Sequence, residues 1–150
     1  MASLLAGRNL APLDDAQKRR AYNTFTGFDN TIAVRFEENS STRFHVVPPG
    51  DGQDEYGEIV FSSDLYQGNN VANANSTLSM PAACAHELAH YYRWRDMREL
   101  NGAHLRHLDE ALTSLEAAQR FGAQLSPAEV QQLIADAAER LRLHIQEGNN

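Results

Sequence analysis

The pattern of hydrophobic and polar positions along the chain predicts one helix, then three strands, then three more helices. Apolar residues at every second position between turn-forming residues indicate the strands, and apolar residues at helical spacing indicate the helices. The predicted helices span residues 14–24, 79–100, 103–121 and 126–147, and the predicted strands span residues 31–37, 43–47 and 57–63. Because most helices follow the strands as a group, this order predicts an α+β fold.

Capping residues mark where several of these helices begin and end. Asp14 and Asp15 are suitable N-cap residues for the first helix, and Ser76 or Ser79 for the second, with Pro81 in its first turn. The pair Asn101-Gly102 predicts the end of the second helix, and Ser126 with Glu129 forms a capping box before the last one. The last helix carries an apolar stripe that we expect to face the core, formed by Val130, Leu133, Ile134, Ala137, Leu141 and Ile145.

The length of 150 residues corresponds to a single domain over residues 1–150. Residues 1–13 contain few regularly spaced apolar positions, and we expect them to form a flexible arm. Residues 67–77 are rich in Asn, lack apolar periodicity and predict a surface loop.

Composition excludes several classes of function. The net charge of −7 argues against a nucleic acid partner, which needs a basic face. A mean hydropathy of −0.51 and the lack of a long apolar run argue against a membrane-spanning segment, and the first residues make a poor signal peptide. The single cysteine, Cys84, excludes an intramolecular disulfide and suits a reducing cytoplasm. The oligomeric state stays open.

A short motif on the second predicted helix carries the chemistry. His86 and His90 flank Glu87 in the pattern H-E-x-x-H, for which random placement in this composition gives roughly 0.02 matches. Histidines four residues apart on a helix lie one above the other, so both imidazoles can bind one Zn²⁺ ion. Glu87 is turned by about 100° around the axis, where a carboxylate can take a proton from metal-bound water.

A catalytic zinc ion needs a third protein ligand and one open position. Asp96 lies six residues after His90, where the metzincin pattern H-E-x-x-H-x-x-G-x-x-H/D has its third ligand. That pattern needs a glycine turn at position 93, where this chain has Arg93, and Asp96 is therefore rejected. The spacing leaves four candidates on the following helix: His104, His107, Glu110 and Glu116.

The H-E-x-x-H motif followed by Glu110, 20 residues after His90, resembles the gluzincins, the thermolysin-like zinc peptidases. Their third ligand lies in an Asn-Glu-x-x-x-Asp context, whereas this chain has Asp109-Glu110 and then Ser114. The His-Glu-Leu-Ala-His helix is also similar to that of the ImmA-type regulatory metallopeptidases. On that resemblance, Glu116 of this chain is the second choice for the third zinc ligand. The resemblance covers about residues 57–125.

The resemblance implies a zinc metallopeptidase with ligands His86, His90 and Glu110 and with Glu87 as general base. It further implies a narrow-specificity intracellular regulatory protease that cleaves a protein or peptide, in which residues 58–62 form the sheet edge that receives an extended substrate. A donor to the oxyanion has no local signature; the candidates are Tyr56, Tyr66, His104 and His107. The alternative function is a non-catalytic, zincin-shaped zinc-binding or protein-interaction module.

Three further groups near the motif are interpreted structurally. We expect Cys84 to be a small buried hydrophobe. We expect the aromatic residues Tyr91, Tyr92 and Trp94 to pack between helices, and the basic run Arg93, Arg95 and Arg98 to form a solvated face.

Overall fold

The computed structural model describes residues 8–68 and 78–148 and has the α+β fold that the sequence predicts. The helices are α1 (Asp15–Phe28), α2 (Met80–Arg95), α3 (Arg106–Phe121) and α4 (Pro127–Gly148). The strands are β1 (Ala33–Phe36), β2 (Arg43–Val47) and β3 (Tyr56–Phe61), and short 3₁₀ turns occupy Ser63–Leu65 and Ala103–Leu105.

Side-chain caps start three of the helices where the sequence places them. Asp14 accepts from the backbone N–H of Gln17, whose side chain reaches back to the Asp14 backbone. Ser79 accepts from the N–H of Ala82, and Ser126 and Glu129 form the predicted capping box. Each such cap contributes about 1 kcal/mol to helix stability.

The three strands form one mixed sheet in the order β1-β3-β2. β3 pairs in parallel with β1 and antiparallel with β2, and all residues from Gly57 to Phe61 are buried. The expectation that residues 58–62 form the sheet edge is therefore wrong, because the fully buried strand takes the centre. Within the described ranges β2 has no strand on its other side, and all five of its residues are partly exposed.

The core lies around α2, which contacts α1, α3, α4, β2 and β3. The side of α2 that faces the core is lined by small residues and Leu88, all fully or almost fully buried, and Cys84 is completely buried as expected. Phe25 of α1 packs edge-on against Phe61 of β3, with their ring centroids 5.6 Å apart. Helix α2 is thus held on several sides, which gives its side chains fixed directions.

Helix α2 ends at Arg95, five residues before the predicted end at Leu100. Met97 takes a left-handed φ of 55°, and the N–H of Arg98 bonds to the carbonyl of Arg93 at 2.7 Å, which closes the helix. Such a turn at Met97 is not expected from its residue type, because left-handed backbone favours glycine.

The basic run after the motif is only partly solvated. Arg95 and Arg98 are exposed, but Arg93 is buried and forms an ion pair with Asp109 of α3 at 2.7 Å. The prediction of a solvated face is wrong for Arg93, because the turn at the end of α2 brings this side chain against α3. Of the aromatic residues, Tyr92 packs between helices as expected, against Phe121 of α3, whereas Tyr91 and Trp94 contact the ring of Phe44 on strand β2.

The apolar stripe predicted for α4 is wrong in part. Ile134 and Ile145 are 42% and 62% exposed, whereas Asp136 is buried between Leu133 and Ala137. The buried face of α4 is thus rotated relative to the predicted one, so that it includes Asp136. The contacts that explain the burial of Asp136 belong to the candidate site. Helix α1 also runs one turn beyond the predicted end at residue 24, because Phe25 is buried in the core.

The described part of the predicted arm, residues 8–13, is anchored at Arg8. Its guanidinium donates to the backbone carbonyls of Asp64, Leu65 and Leu78. Residues 1–7 and most of the predicted Asn-rich loop, residues 69–77, lie outside the described residues. Among the described helices, none is long and apolar enough to cross a bilayer.

Candidate metal centre

His86 and His90 of α2 and Glu110 of α3 meet at one point. The Oε2 atom of Glu110 lies 2.9 Å from Nε2 of His86 and 3.0 Å from Nε2 of His90. The two imidazole planes are nearly perpendicular, at 84°. One atom from each residue can be chosen so that all three lie within 4.8 Å of one another.

The orientation of the His86 ring is fixed by a chain of two hydrogen bonds to α4. Nδ1 of His86 lies 2.7 Å from Oγ of Ser114, and this oxygen donates to Oδ2 of Asp136 at 2.6 Å. Because an ionised carboxylate can only accept, the Ser114 hydroxyl gives its proton to Asp136 and accepts from His86. The hydrogen-bond network therefore assigns the proton of His86 to Nδ1 and leaves the lone pair of Nε2 for the centre.

His90 is oriented in a similar way by Thr113, although more loosely. The Thr113 hydroxyl donates to the backbone carbonyl of Asp109 at 2.8 Å and lies 3.4 Å from Nδ1 of His90. The hydroxyl is therefore free to accept from Nδ1, which again leaves Nε2 without a proton. Because Glu110, Thr113 and Ser114 are three and four residues apart, one face of α3 supplies them all.

These assignments make the three residues a fitting donor set for a metal ion. The lone pairs of the two Nε2 atoms converge on the carboxylate oxygen of Glu110. Because electron-rich acceptor atoms repel one another at about 3 Å, a cation between them is needed to stabilise this arrangement. His₂Glu is a ligand set that zinc uses in catalytic sites, with the fourth position left to water. Within the described ranges, no further His, Cys, Asp or Glu joins this group. Burial alone raises the pKa of Glu110, but His90 and His86 in their charged form, in which Nε2 carries a proton, outweigh burial and hold that pKa far below its usual range.

Glu87 is only partly exposed and lines a cleft together with His86, His90 and Glu110. Burial raises the pKa of the Glu87 carboxyl to about 7, with Glu110 adding to the rise, while His90, the backbone of Phe44 and the charge of Arg140 act against it.

The centre opens into a cleft of about 430 Å³. Residues 42–44 at the start of β2 form one side, and Asp136 and Arg140 of α4 line it as well. The cleft lining includes His86, Glu87, His90 and Glu110. The candidate ligands thus face a space that can admit a chain of several atoms.

The other candidates for the third ligand lie elsewhere. Glu116 pairs with Arg98 and Arg120. His104 is exposed, and His107 is buried against Glu147 of α4, with its Nε2 3.0 Å from Oε1. Neither histidine belongs to the cleft lining.

Asp96 and the oxyanion-donor candidates are also placed away from the centre. Asp96 follows the last residue of α2 and bonds to Arg95, as its rejection anticipates. The hydroxyl of Tyr66 donates to the carbonyl of Gln17, and neither Tyr56 nor Tyr66 lines the cleft.

Sequence reasoning missed Asp136 and Arg140. Their spacing held a signal, since the two polar residues are four apart and lie on the same face as Leu133 and Ala137. A charged residue at a core-facing helix position usually has a partner. Here the partner of Asp136 is Ser114, at the position where the gluzincin pattern has Asp.

The chain was compared with known proteins in three ways: against protein-family models, against curated proteins and against solved structures, and none of these searches returned a match.

Proposed function

We propose that this chain is a zinc-dependent metallopeptidase of the gluzincin type, resembling the ImmA-type regulatory enzymes, that hydrolyses a peptide bond in a protein or peptide. His86, His90 and Glu110 are the proposed zinc ligands, and Glu87 is the proposed general base. One observation carries the proposal: three acceptor atoms converge on one point, and the imidazoles are turned toward it by hydrogen bonds from outside. Such outer hydrogen bonds commonly fix the tautomer of metal-binding histidines.

Zinc, when bound, acts as a Lewis acid that polarises the scissile carbonyl and lowers the pKa of water. Glu87 accepts a proton from the attacking water, whose oxygen bonds to the carbonyl carbon. It then delivers that proton to the amide nitrogen as the C–N bond breaks. Asp136 and Ser114 hold His86 in the tautomer that this site requires.

The substrate is proposed to lie extended along β2. The outer edge of β2 carries no strand in the part of the chain that the structure describes, and residues 42–44 line the cleft. An unpaired edge can bind a peptide through main-chain hydrogen bonds without requiring particular side chains. The proposed substrate edge is therefore β2 and not the third strand.

The alternative of a non-catalytic zinc-binding or interaction module is less well supported. A structural zinc site usually has four protein ligands, and the described group has three, opening on a cleft. The cytoplasm is the proposed location, since a single, fully buried cysteine is compatible with reducing conditions.

The test compares the wild-type protein with Glu87→Gln, using Glu116→Gln as the matched control. Zinc content is measured by mass spectrometry after purification without chelators, and cleavage is measured with a library of fluorescence-quenched peptides. We expect all three proteins to bind one zinc ion. We expect Glu87→Gln to lose about 10²- to 10⁴-fold in cleavage rate, because it lacks the group that moves the proton, and Glu116→Gln to keep the wild-type rate.

Two results would contradict the proposal. A protein that contains no zinc, and whose melting temperature does not change when zinc is added, has no metal centre. Cleavage by Glu87→Gln at the wild-type rate would remove Glu87 from the reaction.

A further inference from the structure

Three arginines line the cleft, and two of them donate hydrogen bonds to the protein. Arg8 donates to three backbone carbonyls, as described for the N-terminal residues. Arg43 donates to the hydroxyl of Ser40 and the carbonyl of Ser41, and it pairs with Glu37 at 3.5 Å. Both guanidinium groups therefore have structural roles that account for their positions.

Arg140 differs from these two. Among the described residues its one ion pair is with Asp136, one turn earlier on α4, where Nε lies 3.5 Å from Oδ1. That distance is too long for a good hydrogen bond, and Nε is buried without a hydrogen-bond partner among the described residues. The side chain is 18% exposed, and within the described residues its two Nη atoms donate no hydrogen bond.

Asp136 satisfies Arg140 only in part, because its Oδ1 lies 3.5 Å from Nε of Arg140 and its closer hydrogen bond is made to Ser114. Its Oδ2 accepts the proton of Ser114 at 2.6 Å and so belongs to the chain that orients His86. An arginine presents five N–H donors in a planar fork, which match the two oxygens of a carboxylate. In Arg140 this fork faces the same cleft as the candidate metal centre and lacks an acceptor.

The acidic side chains of the cleft do not offer such an acceptor either. Asp64 accepts from the N–H of Thr42, and Asp109 accepts from Arg93 and from the N–H of Leu100. Glu110 is held by the two histidines. The remaining carboxyl groups of the lining, Glu87 and Glu99, accept no hydrogen bond from Arg140 in the part of the chain that the structure describes, although the charge of Arg140 lowers the pKa of Glu87.

We propose that Arg140 binds a carboxylate group of the substrate, and thereby selects substrates that carry a carboxylate close to the bond that is cleaved. This inference rests on the proposed peptidase function and names a substrate class for it. The carboxylate can be the C-terminus of a peptide or the side chain of Asp or Glu, and both present the same two oxygens. A charge-assisted, bidentate pair in a partly buried site is among the stronger polar interactions in proteins.

The test measures binding, so that it does not depend on turnover. Three short peptide hydroxamates, which chelate zinc, are titrated by calorimetry into the zinc-loaded protein. The first has a free C-terminal carboxylate and a Gln side chain, the second has a C-terminal amide and the same Gln, and the third has the amide and a Glu in place of Gln. The protein variants are wild type, Arg140→Gln, Arg140→Lys and, as a control on the same helix, Arg142→Gln.

We expect the wild-type protein to bind the first or the third peptide about 10- to 100-fold more tightly than the second. Whichever of the two is preferred identifies the source of the carboxylate. Arg140→Gln should remove the preference and leave the affinity for the second peptide unchanged, and Arg140→Lys should retain part of it. Arg142→Gln, which pairs with Glu139 at the surface, should behave as wild type.

Equal affinities of the zinc-loaded wild type for all three peptides would overturn the assignment of Arg140 while leaving the metallopeptidase proposal intact. The same holds if Arg140→Gln weakens all three peptides equally, since Arg140 would then only support Asp136. A protein that loads no zinc would overturn the proposed function and this inference together.

Discussion

Two clusters among the described residues combine buried histidine with glutamate, and one of the two resembles a metal centre. In the first, His86 and His90 of α2 meet Glu110 of α3. In the second, His107 of α3 meets Glu147 of α4, with Nε2 3.0 Å from Oε1. The contact distances are nearly the same, so distance to a carboxylate does not distinguish the two clusters.

The two clusters differ in the hydrogen bonding of the ring nitrogen that points away from the glutamate. Nδ1 of His86 donates to Ser114, which is backed by Asp136, whereas Nδ1 of His107 is buried without a hydrogen-bond partner among the described residues. The Glu147 side chain is also 49% exposed, against 26% for Glu110. A metal-binding histidine needs a partner on its other nitrogen to fix its tautomer and direction. The hydrogen bond on the second ring nitrogen therefore indicates a metal-binding histidine better than the distance between histidine and glutamate does.

The largest expected effect is the loss of a ligand at the first cluster. Glu110→Ala should lower zinc affinity by more than about 100-fold, which exceeds the usual cost of removing an outer partner of a ligand. His107→Ala in the second cluster should leave the affinity unchanged. Zinc affinity is measured by competition with a chromogenic chelator.

The melting temperature measured with and without zinc tests the difference between the two clusters independently. Zinc at about 100 times its dissociation constant adds roughly 2.7 kcal/mol of stability, which raises the melting temperature of a domain of this size by about 5–10 °C. His107→Ala should keep this rise, a chelator should reverse it, and Glu110→Ala should lose it. The comparison fails if His107→Ala loses the rise and Glu110→Ala keeps it.

A smaller effect is expected from the chain of hydrogen bonds behind His86. Ser114→Ala removes the acceptor of the Nδ1 proton and should lower zinc affinity by about 10- to 100-fold. Asp136→Asn keeps an oxygen that accepts from Ser114 but removes the charge, so its loss should be the smaller of the two. If both variants bind zinc as tightly as the wild type, the outer hydrogen bonds do not prepare the site.

The smallest effect is expected at the second cluster. His107→Leu removes an ion pair with a half-exposed glutamate, which is worth at most about 1 kcal/mol, and also removes a buried nitrogen that has no partner. We expect the free energy of unfolding in urea to change by less than about 1 kcal/mol, with Glu147→Gln as the matched variant. A loss of several kcal/mol would show that His107 has a structural role comparable to that of the first cluster.

Most of the fold could be predicted because its signals are local. The caps at Asp14, Ser79 and Ser126 each act within one helical turn, and all three begin helices at the predicted places. Errors arose where packing between elements outweighs local preference. Helix α2 ends early in a left-handed turn at Met97, and α4 turns Ile134 outward while burying Asp136.

In the candidate site, too, the residues related by local spacing could be predicted and the contacts between helices could not. The sequence places His86 and His90 on one helix face and Glu87 beside them, because helical geometry relates residues four apart. It also narrows the third ligand to a few residues on the next helix. The structure places Glu110 next to both imidazoles and pairs Glu116 with arginines. Zinc binding itself stays a prediction.

The order of the elements and the helix with the H-E-x-x-H motif follow from the sequence, since both depend on spacing within a few residues. Tertiary packing makes β2 a sheet edge, brings Asp136 to Ser114 and leaves Nε of Arg140 without an acceptor among the described residues. These contacts join elements that are far apart in the chain. Their geometry follows from how the helices and the sheet pack, which no local spacing records.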